Sequence, residues 1–477
     1  MPRIFGHYVP APLLALITSQ ALIVFGSVFV GLLLPMFGLP AVQPAWGDAV
    51  PAAIALTVLV LATGHVFGVY DLRQGYGRRE LLLRLALSFL VAYLGSAIFS
   101  YLVQSHALAR KAFVLSALVA FPGVFALRLA HDHLTADSRR RQQVLILGSG
   151  RVSRLVAATV REASHSYELI GCLDADKTTT NDGELWSLGT IDDLAWISKV
   201  VHPDVIVVAL EERRGMLPVA DIVDCKLRGI EVDDWPSFYE KVTGRIPLSD
   251  LRPSWLVFAD GFRPARLTRL AKRTMDLIVS ATGLLVCAPI LALVAFAIRL
   301  DSAGPALFRQ ERIGQFGRVF SVYKFRSMRA DAASLPVPAP GEADPRVTRV
   351  GRILRRTRLD EVPQLINVLL GDMSLVGPRP EWTALVPEFS EKVPLYLHRL
   401  AVKPGITGWA QVKNPYGATV ENTWEKLQYD LYYIKNMSLF LDLLILLHTI
   451  QIVLFTKGSG AWTNTQRPST TSVSYAA

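Results

Sequence analysis

One segment of the sequence carries most of the information about fold and chemistry, LDEVPQLINVLLGDMSLVGPRPE at residues 359–381. Its apolar residues recur at helical spacing, at Leu359, Val362, Ile366 and Leu369. Pro363 is tolerated only in the first turn of a helix. The segment therefore predicts a helix that begins near Asp360 and Glu361 and has both carboxylates at its positive end.

These two adjacent carboxylates predict phosphate chemistry. A helix start favours an ionised Asp360, as a carboxylate nucleophile must be, and attracts a substrate phosphate. Glu361 can hold a hard cation such as Mg²⁺ against a diphosphate. Five arginines that suit phosphate oxygens precede the pair: Arg349, Arg352, Arg355, Arg356 and Arg358. Simple helix capping by Asp-Glu, and contact of the arginines with anionic lipid, are the alternatives that this pattern leaves open.

The first quarter of the chain is strongly apolar. Of the 477 residues, 51% are hydrophobic and 19% are charged, and the mean hydropathy is +0.33. Four segments are each near the ~20 residues that a helix needs to cross a bilayer: 13–37, 51–69, 81–103 and 112–127. Arginines flank the second loop and follow the fourth segment, whereas the first loop has no Lys or Arg. We therefore predict four transmembrane helices within residues 1–135, with both ends of the bundle in the cytoplasm.

The net charge of the chain is +10, which in a membrane protein favours anionic lipid or phosphate-rich substrates as partners. We predict no nucleic-acid partner. The three cysteines, Cys172, Cys225 and Cys287, have neither close pairing nor metal-ligand spacing. They are predicted to be reduced, packed thiols.

A soluble α/β domain is predicted at residues 142–245. An apolar strand pattern at 144–147 enters Gly148-Ser149-Gly150, a helical pattern follows, and a second apolar strand lies at 204–209. Alternating strands and helices predict a small parallel sheet of Rossmann type. The glycine pattern is incomplete, because Ser153 stands where a third small residue would help helix and strand to pack. We predict a structural or regulatory domain without a bound cofactor, and nucleotide binding is the alternative.

The rest of the chain is predicted to be a linker at 246–268 and a mainly α, membrane-embedded catalytic domain at 269–477. An apolar stretch at 277–300 is long enough to cross a bilayer, but a crossing would carry Asp360 out of the cytoplasm. Basic residues at both ends favour the cytoplasm for both, and Pro289 removes a backbone hydrogen bond in the middle. We therefore predict a re-entrant helix kinked at Pro289.

From Lys272 to about residue 455 the chain resembles the catalytic domain of the monotopic phosphoglycosyl transferases, the bacterial sugar transferase family. Six motifs occur in the family's order: KRTMD at 272–276, FRQERIG at 308–314, YKFRSM at 323–328, LDEVPQ at 359–364, GDMSLVGPRPE at 371–381 and KPGITGWAQ at 403–411. The first 250 residues resemble the large subgroup, in which four membrane helices and a Rossmann-like domain precede the transferase. A looser likeness connects the chain with members from exopolysaccharide loci.

This resemblance implies an enzyme of the bacterial inner membrane whose catalytic domain faces the cytoplasm. Asp360 would attack the sugar-bearing phosphate of a UDP-sugar, release UMP and form a covalent phosphosugar intermediate. Undecaprenyl phosphate would then accept the phosphosugar, which initiates exopolysaccharide or O-antigen synthesis. Glu361 would bind Mg²⁺. Further residues are implied to contact phosphate or nucleotide: Lys324, Arg326, Arg355, Arg379 and Glu381. Arg358 departs from the family, which often has Ser or Thr there, and adds a cation beside the pair.

Two other functions are compatible with parts of the sequence. Membrane-bound nucleotide-sugar dehydratases share the helices and the Rossmann domain, but none of the 14 tyrosines here has Lys four residues later, as their acid–base pair requires. A membrane scaffold or regulator of polysaccharide assembly would bind lipid without catalysis. The sequence does not name the sugar, for which UDP-glucose and UDP-galactose are the leading expectations. A homodimer is compatible with this domain organisation.

Overall fold

The computed structural model describes residues 3–4, 7–33, 46–71, 77–102, 110–135, 141–164, 166–174, 185–210, 217–248, 259–262, 264–329, 331–332, 344–414 and 420–455. The chain divides into two compact units. The first comprises Met1–Ile4 and Tyr8–Val242, and the second comprises Phe5–His7 and Thr243–Ala477. Two short strands open the chain, β1 (Arg3–Ile4) and β2 (His7–Tyr8).

The first unit begins with four long apolar helices: α1 (Ala11–Leu33), α2 (Trp46–Val66), α3 (Arg78–Leu102) and α4 (Arg110–Thr135). Each is long and apolar enough to cross a membrane. The helices pack against one another through a shared cluster of buried apolar residues, whereas leucines such as Leu22, Leu83 and Leu118 are more than half exposed. A soluble bundle would cover such side chains, so these outward faces indicate a membrane protein. The four predicted segments are confirmed as helices, except that residues 67–69 form a turn after α2 and that residues 34–37 and 103 lie outside the described residues.

A parallel five-stranded sheet follows in the same unit. Its strands are β3 (Gln142–Leu147), β4 (Tyr167–Asp174), β5 (Ser187–Thr190), β6 (Val205–Val208) and β7 (Glu231–Asp234). The connecting helices are α5 (Arg151–Glu162), α6 (Leu194–Val201), α7 (Val219–Leu227) and α8 (Trp235–Thr243). The spatial order β5-β4-β3-β6-β7 is that of a doubly wound α/β domain. At the end of β4, Asp174 accepts a 2.5 Å hydrogen bond from Ser149 of the glycine loop.

The second unit contains seven helices within the described residues and two small sheets. The helices are α9 (Arg266–Asp301), α10 (Arg349–Thr357), α11 (Gln364–Leu370), α12 (Val386–Lys392), α13 (Trp409–Lys413), α14 (Val420–Lys435) and α15 (Leu439–Phe455). The strands are β8 (Leu307–Ile313), β9 (Val319–Phe325), β10 (Ser374–Val376) and β11 (Gly405–Thr407). β8 and β9 form an antiparallel hairpin, and β10 pairs in parallel with β11.

The second unit begins earlier than the predicted linker allows. Ile246 and Leu248 are buried in the core of this unit, and Trp409 Nε1 donates to the carbonyl oxygen of Gly244 at 2.9 Å. Residues 246–248 are therefore part of the folded unit, and the domain boundary lies at residue 243 and not at 246. Residues 249–258 and 263 of the predicted linker lie outside the described residues.

One buried ion pair and two hydrogen bonds attach the start of α9 to this core. Lys272 Nζ lies 2.7 Å from Asp442 Oδ2 of α15 and donates to the carbonyl oxygen of Val376 at 3.0 Å. Asp276 accepts from the backbone N–H of Leu375 at 3.0 Å. The KRTMD motif is thus an anchor for the helix. Asp442 of α15 is completely buried and serves as the partner of this anchor.

Candidate active site

The turn that carries Asp360 and Glu361 lies between α10 and α11. Arg358 ends α10 in the left-handed conformation, with φ at 60°, which costs an L-residue about 1–2 kcal/mol. One 3-10 turn, Leu359–Glu361, follows, and the N–H of Glu361 donates to the Arg358 carbonyl at 3.2 Å. The predicted helix start is therefore wrong, because the left-handed residue closes a tighter turn before α11 begins. Both carboxylates precede the helix.

Glu361 is held between two cations. Its Oε1 lies 2.9 Å from Lys324 Nζ and 3.4 Å from Arg379 Nη2. Burial by itself would raise the pKa of Glu361, but Arg379 and Lys324 outweigh it and lower that pKa to about 2. Glu361 is thus a permanently ionised carboxylate at neutral pH. Lys324 comes from β9, so the hairpin supplies one wall of the site.

Asp360 has a different environment. Burial and the neighbouring Glu361 raise its pKa, whereas Lys324, Arg355 and Arg358 lower it. A helix end is expected to lower the pKa of Asp360, but burial and Glu361 outweigh the nearby cations and raise it. Its Oδ1 is buried and accepts no hydrogen bond from the residues that the structure describes. A poorly solvated carboxylate oxygen with no bound donor can act as a nucleophile more readily than a hydrated one.

Arg379 is positioned by a turn that requires glycine. Residues 377–381 follow β10, and the N–H of Gly377 donates to the carbonyl of Thr407 at 2.9 Å. A Cβ on Gly377 would meet the carbonyl oxygen of Lys403, and one on Gly405 would meet the backbone of Gly377. The two chain segments approach closely because both positions lack a side chain. This contact fixes the backbone from which Arg379 reaches Glu361.

Arg312 belongs to the site, although the sequence analysis did not select it. Its guanidinium donates to Pro380 O at 3.3 Å and to Gln310 Oε1 at 2.8 Å, and it lies 5.2 Å from the ring centre of Trp382. Burial, followed by the nearby Arg379, lowers its pKa to about 10. Arg312 and Arg379 repel each other, so an anion bound between them would be stabilised by both. The signal was present, because Arg312 lies in the FRQERIG motif.

Arg355 and Arg326, two further residues predicted to contact phosphate or nucleotide, lie in different places. Arg355 Nε donates to Ser327 Oγ at 2.9 Å and acts electrostatically on Asp360. Arg326 donates to the carbonyls of Ser302 and Ala303 at 2.7 and 2.6 Å, so it closes the end of α9 and is not beside the carboxylates.

Glu381 faces a second charge cluster. Its Oε1 lies 3.9 Å from Arg399, which also forms a 2.8 Å ion pair with the buried Asp430. Arg399 Nη2 donates as well to the carbonyl of Arg379 at 3.1 Å. Glu381 and Arg399 therefore stabilise the turn at 377–381.

The two carboxylates fit one kind of Mg²⁺ site. Among the described residues, no group of three or more His, Cys, Asp or Glu side chains could hold a metal ion alone. Mg²⁺ needs only one or two protein carboxylates when substrate phosphates and water supply the other ligands. The ionised Glu361 and the unbonded, buried Oδ1 of Asp360 meet that requirement. The donor set suits an ion that arrives with a diphosphate and does not suit a resident one.

A partly buried carboxylate pair among arginines and a lysine, in the same unit as a long apolar helix, indicates a membrane-associated protein with a phosphate-handling site. The chain belongs to the bacterial sugar transferase family, whose pattern matches residues 267–456. The resemblance to phosphoglycosyl transferases of exopolysaccharide type is thereby confirmed.

Three relatives illustrate the likeness. The undecaprenyl-phosphate glucose phosphotransferase of Komagataeibacter xylinus is 36% identical over 68% of this chain and 61% of its own length. The UDP-glucose:undecaprenyl-phosphate glucose-1-phosphate transferase of Caulobacter vibrioides is 42% identical over 50% of this chain and 85% of its own length. The UDP-N-acetylgalactosamine-undecaprenyl-phosphate N-acetylgalactosaminephosphotransferase of Aeromonas hydrophila is 40% identical over 48% of this chain and 54% of its own. The chain thus spans little more than half the length of the first and third of these.

Proposed function

We propose that this chain transfers a hexose-1-phosphate from a UDP-sugar to undecaprenyl phosphate, as the first step of exopolysaccharide or O-antigen synthesis. The observation that carries the proposal is the buried, unbonded Oδ1 of Asp360 beside a carboxylate fixed by Lys324 and Arg379. The names of the relatives support the same acceptor. Glucose is the leading sugar, with galactose next and N-acetylated sugars behind.

The reaction proceeds in two displacements. Asp360 Oδ1 attacks the phosphorus that bears the sugar, and the bond from that phosphorus to the bridging oxygen breaks, so that UMP leaves with the electron pair. A phosphate oxygen of undecaprenyl phosphate then attacks the same phosphorus and releases the Asp360 carboxylate. Arg379 and Arg312 offset the charge that builds up on the leaving phosphate.

Glu361 would hold Mg²⁺, with Asp360 close by, when the donor binds. The ion would neutralise diphosphate charge and orient the two phosphates. Lys324 keeps Glu361 in place and, with Arg355, favours the ionised form of Asp360. The burial of Asp360 Oδ1 itself limits the access of water that would otherwise hydrolyse the intermediate.

The proposed membrane topology follows from where α9 touches its own unit. Asp276 near its start bonds Leu375, and Asp301 at its end accepts from the N–H of Val350 at 3.0 Å. Between them, Ile298 and neighbouring residues pack against α10. A straight 36-residue helix would be ~54 Å long, and a hydrocarbon core is ~30 Å thick. Both ends contact one folded unit, which supports entry and exit through a single leaflet, the cytoplasmic one, with the kink at Pro289.

The test is UMP release by the purified full chain in nanodiscs, with a panel of UDP-sugars, with and without undecaprenyl phosphate. Asp360→Asn should reduce turnover more than about 1,000-fold, because an amide cannot form the covalent link. Glu361→Gln should reduce it about 100-fold and weaken the response to Mg²⁺.

Asp372→Asn is the matched control, because Asp372 lies in the neighbouring motif and is exposed. It should keep wild-type turnover. Full activity of Asp360→Asn would point to direct transfer between the substrates. Absence of UMP release with every donor would favour a scaffold or regulator.

A further inference from the structure

The five arginines before Asp360 separate into two groups. Arg355 and Arg358 act on the Asp360 carboxylate, as described above. The other three, Arg349, Arg352 and Arg356, are exposed. Their spacing of three and four residues places them on one side of α10. We call this surface the arginine face.

The opposite side of α10 is packed against the end of α9. Val350 and Leu354 contact the cluster that contains Ile298, and the N–H of Val350 donates to Asp301 Oδ2 at 3.0 Å. The arginine face therefore belongs to a helix that is fixed to the last turn of the apolar helix. The depth of α9 in a membrane would therefore also set the depth of α10.

Apolar side chains accompany these cations. Ile353, between two of the arginines, is 63% exposed, and Leu300 in the last turn of α9 is 73% exposed. The outward side of α9 continues with Phe296 and Leu293, which are 63% and 69% exposed. An exposed strip of apolar residues next to a basic helix face is the pattern of a segment at a membrane surface.

The cations of the arginine face have few anions of their own. Within the described part of the chain, Arg352 and Arg356 form no salt bridge with a carboxylate. Three like charges on one short helix repel one another, so an anionic partner would stabilise them. A partner that presents many phosphates beside an apolar phase is a phospholipid leaflet.

We propose that the arginine face binds the headgroup phosphates of anionic phospholipids in the leaflet that α9 enters. This inference rests on the proposed re-entrant topology but not on the chemistry at Asp360. Because α10 leads directly into Leu359–Glu361, lipid contact at the arginine face would hold Asp360 near the plane of lipid phosphates. That is the depth at which the phosphate of a polyprenyl acceptor is found.

The test uses the full chain in nanodiscs made of phosphatidylcholine and phosphatidylglycerol in equal parts, with native mass spectrometry to count each retained lipid. Each arginine at an anionic surface adds about five-fold in affinity, so the triple variant Arg349→Gln, Arg352→Gln, Arg356→Gln should lose up to about 100-fold of the preference for phosphatidylglycerol. The triple lysine variant should keep it, because the attraction is between charges and does not need a guanidinium fork.

Arg318→Gln is the control, since Arg318 is an exposed arginine in the hairpin turn, away from α10. It should retain the wild-type preference. Unchanged retention in the triple glutamine variant would overturn the proposal. If lipid retention were unchanged and the KM for undecaprenyl phosphate were raised, the arginine face would bind the acceptor and the proposal would also be overturned. Lipid retention does not depend on turnover, so a failure of the proposed function would be seen separately.

Discussion

At the residue scale, the adjacent carboxylates Asp360 and Glu361 experience opposite fields. Glu361 lies between Lys324 and Arg379, and its pKa falls to about 2. Asp360 is partly buried, its Oδ1 is buried and unbonded among the described residues, and its pKa rises. In the proposed mechanism the two carboxylates have different roles: Glu361 is a fixed charge beside phosphate and cation, and Asp360 is the nucleophile. Spacing in the sequence could not distinguish them, because the cations that do so come from β9 and from the turn at 377–381.

The raised pKa of Asp360 leads to a pH prediction. The carboxylate must be ionised to attack, so turnover should fall as the pH drops through that pKa. Arg355 lowers the pKa of Asp360, and its removal therefore raises it. In Arg355→Gln the acid limb of the kcat profile should move to higher pH, measured as UMP release in zwitterionic lipid.

Arg356→Gln is the matched control, because Arg356 is the next residue and is exposed without acting on Asp360. Its acid limb should coincide with the wild type. If Arg355→Gln left the limb in place, another group would govern the profile.

At the scale of elements, α9 is the long apolar helix to which the site is attached. Its first turns are attached by Lys272 and Asp276, and its last turn caps α10 through Asp301. Its outward side stays apolar and exposed along most of its length. Such a helix stabilises the protein only where lipid covers that side.

Cysteine labelling tests the proposed topology. Leu270 and Ala303 are exposed on either side of the apolar stretch, so cysteines placed there should both react with a membrane-impermeant reagent from the cytoplasmic side only. A cysteine at Leu285, in the middle, should resist the reagent from both sides. The background is low when Cys287 is replaced by Ala, because Cys172 and Cys225 are buried. Labelling of Leu270 and Ala303 positions from opposite sides would establish a full crossing.

At the scale of the whole molecule, the boundary between the two units decides which fragment is stable. Ile246 and Leu248 precede the family's matched region, yet they are buried in the second unit's core. Each such side chain contributes about 1.5–3 kcal/mol when fully buried.

A fragment that begins at Thr243 should therefore be more stable than one that begins at Pro264, by roughly 3–5 kcal/mol. The measurement is urea unfolding in detergent, with UMP release as the readout of function. Both fragments should retain some transfer activity, with the shorter one losing it at lower urea. Equal unfolding midpoints would show that residues 243–263 add nothing to the core.

The sequence alone determined the four N-terminal helices, the parallel α/β domain with its strand alternation and the family, and it singled out Asp360 and Glu361 as the predicted pair. These features can be predicted from short segments, because hydrophobic runs, strand–helix alternation and short motifs each depend on residues that are close together in the chain. The prediction that a helix starts at Asp360 failed because the left-handed conformation of Arg358 is not signalled locally by a non-glycine residue.

Only the tertiary structure decided which arginines serve the site and which do not. Arg312 joined the site, Arg326 closed the end of α9, and the arginines of α10 separated into two sides, because each fate depends on partners far along the chain. The opposite pKa shifts of Asp360 and Glu361 have the same origin, since burial and the approach of Lys324 and Arg379 exist only after folding. Long-range packing sets the field at each carboxylate, and the field sets its chemistry.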